Sequence, residues 1–199
     1  MPWRHRDSTE VHGRFLCEPL WILCLSVVNQ RIMTFQTAES SSTAKSELYD
    51  QLAAQISSLL AGERDLISNA ANFASLIFHS LPDLNWAGFY FLKNDELVLG
   101  PFQGRPACVR IALGQGVCGT AALKRVTTIV PNVHEFPGHI ACDSASNSEI
   151  VIPLMKGERL IGVLDLDSPV IGRFDDEDAA GLNRLVSIFV EASATGFAP

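Results

Sequence analysis

Between Ser46 and Gly62 the apolar positions Leu48, Leu52, Ile56, Leu59 and Leu60 fall mostly three and four residues apart. That is the spacing of one helix face, and Gly62 supplies a stop. A second stripe of Leu66, Ala70, Phe73, Ile77 and Leu81 closes at Pro82, whose ring cannot continue a helix. The period then changes. Residues 86–92 and 97–99 flank the polar residues 93–96, which predicts two strands across a tight turn. Residues 108–113 and 127–130 predict two more strands, with a short helix starting near Val117 between them. Residues 149–155 and 159–167 predict a hairpin across Lys156-Gly157-Glu158. The last apolar stripe runs Leu182, Leu185, Val186, Phe189 and Val190. It follows the acidic residues 175–178, whose carboxylates suit the positive end of a helix. The order predicts an α+β domain, a mostly antiparallel sheet with helices packed on one side.

Residues 1–43 follow another pattern. A basic start (Arg4, His5, Arg6) leads to an apolar run over residues 19–28 and then to polar Asn29, Gln30 and Arg31. Ten residues are too few to cross a bilayer, which takes ~20. The length suits a signal peptide, but Asp7, Glu10 and Glu18 spoil the basic lead and no small-x-small cleavage site follows. The reading is an unstructured extension over 1–43 ahead of one domain over 44–195, with Met33 as an alternative start.

Composition adds exclusions. Of 199 residues 47% are apolar and 19% charged, which provides a core and argues against a disordered or fibrous chain. Fifteen basic and 22 acidic side chains leave a net charge of −7, and no segment is dense in Lys and Arg. Nucleic acid and anionic membranes therefore find no cationic patch. Five cysteines, an odd number without tight spacing, fit a reducing compartment such as the cytoplasm better than a secreted disulfide scaffold.

Several residues could carry chemistry. Gly114-Gln-Gly116-Val-Cys-Gly119 matches a dinucleotide-binding fingerprint, but no complete βαβ unit surrounds it. A tight turn into a short helix explains the glycines, and would set Cys118 by a helix N-terminus that favours thiolate. Cys108, Cys118 and Cys142 fall in or beside loops at one end of the predicted sheet. Three readings stay open for them: small buried hydrophobes, a zinc site with His134, His139 and Asp143, or thiol redox chemistry. Spacings of ten and twenty-four residues lack the paired knuckle of structural zinc sites. Asp165 and Asp167 share one strand face, and with Glu149 they form a solvated rim, an ammonium pocket or a proton store. Trp86 and Tyr90 also share a face, as core aromatics do.

In order along the chain stand Asn85-Trp-Ala-Gly-Phe-Tyr90, Gly100-Pro-Phe-Gln-Gly104, Ala107-Cys-Val-Arg-Ile111, Gly116-Val-Cys-Gly119, Gly138-His-Ile-Ala-Cys-Asp143, Ser146-Asn-Ser-Glu149 and Gly162-Val-Leu-Asp-Leu-Asp-Ser168. Together they resemble the free methionine-(R)-sulfoxide reductases, single GAF domains, over about residues 46–194. The resemblance implies an α+β GAF fold and reduction of the free amino acid. It implies Cys142 as the attacking sulfur, Cys108 as the resolving cysteine and Cys118 as an auxiliary one. Glu149, Asp165 and Asp167 would hold the ammonium group and assist proton delivery, and Trp86 and Tyr90 would wall the sulfoxide methyl. It also implies a homodimer recycled by thioredoxin, with no cofactor and no metal. The rival expectation is a GAF module that senses oxidation or a ligand without turnover.

Overall fold

The computed structural model describes residues 45–140 and 143–195. The extension read over 1–43 lies outside them, and so does Cys142. Helices α1 (Lys45–Leu59) and α2 (Leu66–Ser80) form where the periodicity predicts them. The carboxylate of Asp65 caps α2 by accepting from the Ser68 amide at 2.7 Å. Strands β1 (Trp86–Lys93) and β2 (Glu96–Gly104) join through Asn94 and Asp95, at φ 50° and 62°. Two consecutive left-handed residues make a type I′ turn, whose twist matches the strands. Then follow β3 (Arg110–Ala112), α3 (Gly116–Lys124), β4 (Thr128–Val130) and a single 3-10 turn at Val133–Glu135. The hairpin of β5 (Ser148–Lys156) and β6 (Arg159–Ser168) precedes α4 (Asp176–Ala192).

The strands make one antiparallel sheet in the order β3, β2, β1, β6, β5, β4. Alternation sorts the central strands' side chains onto two faces. Ala87, Phe89 and Phe91 of β1, Ile150 and Ile152 of β5, and Leu164 and Leu166 of β6 pack under α1, α2 and α4. At the middle of that layer Phe73, Phe89 and Phe189 touch, with ring centroids 4.7 to 5.5 Å apart. The other face presents Trp86, Tyr90, Val151 and Val163, and α3 packs there through Val117, Cys118, Ala121 and Ala122. Three helices therefore share one side, and the short α3 takes the other.

Glycine makes that placement possible. Gly114 and Gly116 stand at φ 84° and 59°, turning the chain back over the sheet. Gly119 then lies so close to β3 that a Cβ on it would stand 2.3 Å from the Ala112 carbonyl oxygen. At the other end of the fold a capping box starts α4. Asp175 accepts from the amides of Glu177 and Asp178, and the Asp178 side chain accepts from the Asp175 amide. Asp178 is buried and also accepts from Tyr49 (2.8 Å), Lys45 (2.7 Å) and Arg173 (3.1 Å), which ties α1 to α4. Among the described residues no helix is long and apolar enough to cross a membrane.

Candidate active site

The sheet face away from α1, α2 and α4 carries a cavity of about 540 Å3, counting its open mouth. β1, β5 and β6 form one side, the first turn of α3 another, and residues 105–107 with His139, Ile140, Asp143 and Ser146 complete it. Strand register decides which side chains meet. Asp167 stands opposite Trp86 on one neighbouring strand and Glu149 on the other, and Asp165 stands opposite Gly88 and Val151. At Gly88 a Cβ would strike the Trp86 ring at 2.6 Å, so the missing side chain gives the indole its place. Trp86 and Tyr90 stack with centroids 5.9 Å apart. Their polar tips reach the next segment: the indole donates to the Arg105 carbonyl at 3.0 Å and the Tyr90 hydroxyl to the Cys108 carbonyl at 3.1 Å. The aromatic pair is thus both cavity wall and tether.

Glu149 and Asp165 are each only 6% exposed, which excludes the solvated rim. Burial acts on all three carboxyls, and repulsion from neighbouring carboxylates adds to it at Glu149 and Asp167. Glu149 is pushed well above the usual carboxylate range by desolvation and then by the charges of Asp165 and Asp167. Asp167 is pushed up by desolvation and by Asp165, against a lowering hydrogen bond from Ser146. Asp165 rises to about 6 by desolvation, held back by hydrogen bonds with Cys118 and Glu149. Its Oδ1 is buried without a hydrogen-bond partner among the described residues. Such a cluster holds its protons more tightly than free carboxyls do and can give one up to a bound oxygen.

Cys118 corrects one expectation. It lies in the first turn of α3, yet its thiol is pushed well above its ordinary value by burial, then by Asp165 and Glu149. The helix end favours thiolate, but desolvation and two carboxylates outweigh it. The thiol stays protonated and points to Glu149 Oε1 at 4.0 Å. Cys108 is half-buried and lies outside the cavity lining, one residue beyond Ala107. Cys142 falls outside the described residues, and its flanking residues Ile140 and Asp143 line the cavity.

Among the described residues His134, His139 and Asp143 do not bring donor atoms together as a metal group, and Cys142, the cysteine of that reading, lies outside them. His134 bonds Asn147 at 2.9 Å instead. Cys118, Glu149 and Asp165 do bring donor atoms within 4.8 Å of one another, and a cation there would displace the protons these groups retain. The glycine-rich fingerprint opens α3, but no parallel strand follows, so it is a turn and not a dinucleotide cradle. His139 lines the cavity with Nε2 3.7 Å from Glu149 Oε2, and burial lowers its pKa, so it stands neutral. Arg105 also lines the cavity and was not singled out in the sequence; a lone cation between two glycine- and alanine-flanked motifs was the available signal.

Comparison with known proteins bears on this site. A GAF domain family model matches residues 68–192. The free methionine-R-sulfoxide reductase of Escherichia coli is 52% identical over 151 residues, 76% of this chain and 92% of that protein. A free methionine-R-sulfoxide reductase from Neisseria meningitidis, solved in complex with its substrate, is 44% identical with a TM-score of 0.74, covering 79% and 95% of the two chains. An fRMsr of Staphylococcus aureus, also in complex with substrate, is 48% identical with a TM-score of 0.70, covering 72% and 94%.

Proposed function

The chain belongs to the free methionine-R-sulfoxide reductases of the GAF-domain family, and from that membership we propose that it reduces free L-methionine (R)-S-oxide to L-methionine by thiol chemistry. One observation in this chain supports the reading most. Three carboxyls with raised pKa values, Glu149 and Asp165 of them buried, share a cavity with a stacked Trp–Tyr wall, and among the described residues Asp165 leaves an oxygen unpartnered. A sulfoxide needs a proton on its oxygen as the S–O bond breaks, and its methyl group needs an apolar wall.

In the proposed cycle Cys142 attacks the sulfoxide sulfur while the Glu149–Asp165–Asp167 cluster protonates the oxygen. The oxygen passes from the substrate sulfur to the Cys142 sulfur, methionine leaves as the thioether with the electron pair of the broken S–O bond, and Cys142 is left as a sulfenic acid. The Cys108 thiol displaces that oxygen as water and closes a disulfide. An external dithiol, thioredoxin in this proposal, restores both thiols by exchange. Cys118 keeps its proton and supports Glu149, so it serves the acid and not the attack. A homodimer in the cytoplasm completes the proposal.

The test couples NADPH oxidation to thioredoxin, its reductase and methionine sulfoxide. The R epimer of the free amino acid should be consumed, with the S epimer and peptide-bound sulfoxide spared. Glu149→Gln should lower turnover by at least ~10²-fold with melting temperature kept. Cys142→Ser should release no methionine in the first turnover, and Cys108→Ser about one per site. Equal rates on peptide substrate, or a full first turnover from Cys142→Ser, would overturn the scheme.

A further inference from the structure

The cavity is lined by acids. Asp143, Glu149, Asp165 and Asp167 line it, and among the described residues lining it Arg105 carries the one permanent positive charge. The proposed substrate is a zwitterion, and this inference rests on that reading. Its carboxylate cannot enter a cavity of four acids unpaired without a desolvation and repulsion cost.

Arg105 is built to meet it. Its backbone is fixed, because the Trp86 indole donates to its carbonyl at 3.0 Å. Its side chain is 73% exposed, and its guanidinium reaches Asp143 Oδ1 only at the long distance of 3.5 Å. Asp143 itself is held, accepting from the Ala145 amide at 2.9 Å and from Asn85 at 3.4 Å. A pinned backbone, a fixed counter-charge and a loosely held guanidinium leave donors to spare for a second carboxylate. The polar groups run in one series: Arg105 meets Asp143, Ser146 bonds Asp167, and Asp167 faces Glu149 across β5 and β6, with Cys118 and Asp165 beside Glu149.

We propose that Arg105 reads the α-carboxylate of the substrate, with Asp143 and Asp167 facing the ammonium group, so that the sulfoxide end is directed to Glu149 and Asp165. Selection for the free amino acid follows. A methionine sulfoxide inside a peptide lacks both charges, and would leave Arg105 and the acids facing neutral amides.

The experiment compares wild type, Arg105→Gln and Arg105→Lys on free L-methionine (R)-S-oxide and on its carboxamide, with dithiothreitol as reductant. In wild type the carboxamide should raise KM by about 10- to 100-fold, the usual scale for a charge-assisted pair. Arg105→Gln should raise KM for the acid by the same factor, leave the carboxamide unchanged, and hardly move kcat. Arg105→Lys should recover part of the preference, since it keeps the charge without the fork. Equal losses on both substrates from Arg105→Gln would mark a purely structural residue and overturn the assignment. A kept preference for the acid in that variant, or equal use of acid and carboxamide by wild type, would overturn it too. Failure of wild type to reduce either compound would sink the reductase reading and this inference with it.

Discussion

Asp165 carries its pKa up to about 6 from an ordinary 3.8, and the sign of that shift has a consequence for stability. A carboxyl raised on folding binds more protons folded than unfolded, so stability falls as pH rises from about 4 through about 6. At pH 7 the cost is fully present; below pH 4 it is gone. Asp165→Asn removes it, and should stabilise the domain at pH 7 by an amount on the order of 1–3 kcal/mol while turnover drops. Melting curves from pH 4 to 8 check this, with the gain expected to vanish at the acid end. A melting temperature lowered at pH 7 would mean that the charge itself holds the strands together. The residue scale is also where sequence reading was least complete. Strand alternation put Asp165 and Asp167 on one face, but a rim and a buried store look identical in a string of letters. What buries them is α3 and the segments beyond β2 and β4, contacts distant in sequence. Cys118 shows the same limit: its place at a helix start was legible, whereas the two acids facing it from β5 and β6 were not.

At the scale of elements, local signals did well where one pattern dominated. The two amphipathic stripes, the Asn94–Asp95 turn and the β5–β6 hairpin stand where periodicity predicts them. β3 shrinks to three residues, and β2 runs on to Gly104 through Pro101, because pairing with β1 continues past the apolar residues 97–99. The short 3-10 turn at Val133–Glu135 had no periodic signal to announce it. The side on which α3 packs depends on Gly119, and that dependence can be measured. A Cβ at this position would meet the Ala112 carbonyl at 2.3 Å, and backbone cannot step aside as a side-chain tip can. Gly119→Ala should therefore cost about 1–3 kcal/mol, the usual range for overpacking. It should also cut activity per folded molecule, because the shift moves Cys118 and the cavity wall together. Unchanged melting and unchanged kinetics would show that α3 tolerates the displacement.

For the whole molecule, the described domain starts at Lys45 with its own anchor. Lys45 bonds both Asp175 and Asp178, so the first turn of α1 is fastened to the head of α4. A domain closed in this way does not need residues 1–32 to hold its first helix. A chain beginning at Met33 should be soluble and match the full chain in turnover and melting temperature. Aggregation or lost activity on that truncation would place the apolar run over residues 19–28 among the structural parts of the domain.

The sheet keeps its two faces for different purposes, and neighbouring residues on one strand therefore live under different selection. Along β6, Leu164 and Leu166 go under the helices while Asp165 and Asp167 face the cavity; along β1, Phe89 and Phe91 alternate with Tyr90. In a library of single variants scored separately for abundance and for turnover, the two maps should oscillate out of phase with a period of two residues. A lineage under such rules could retune its chemistry at every second position of three strands, leaving the abundance of the protein almost untouched.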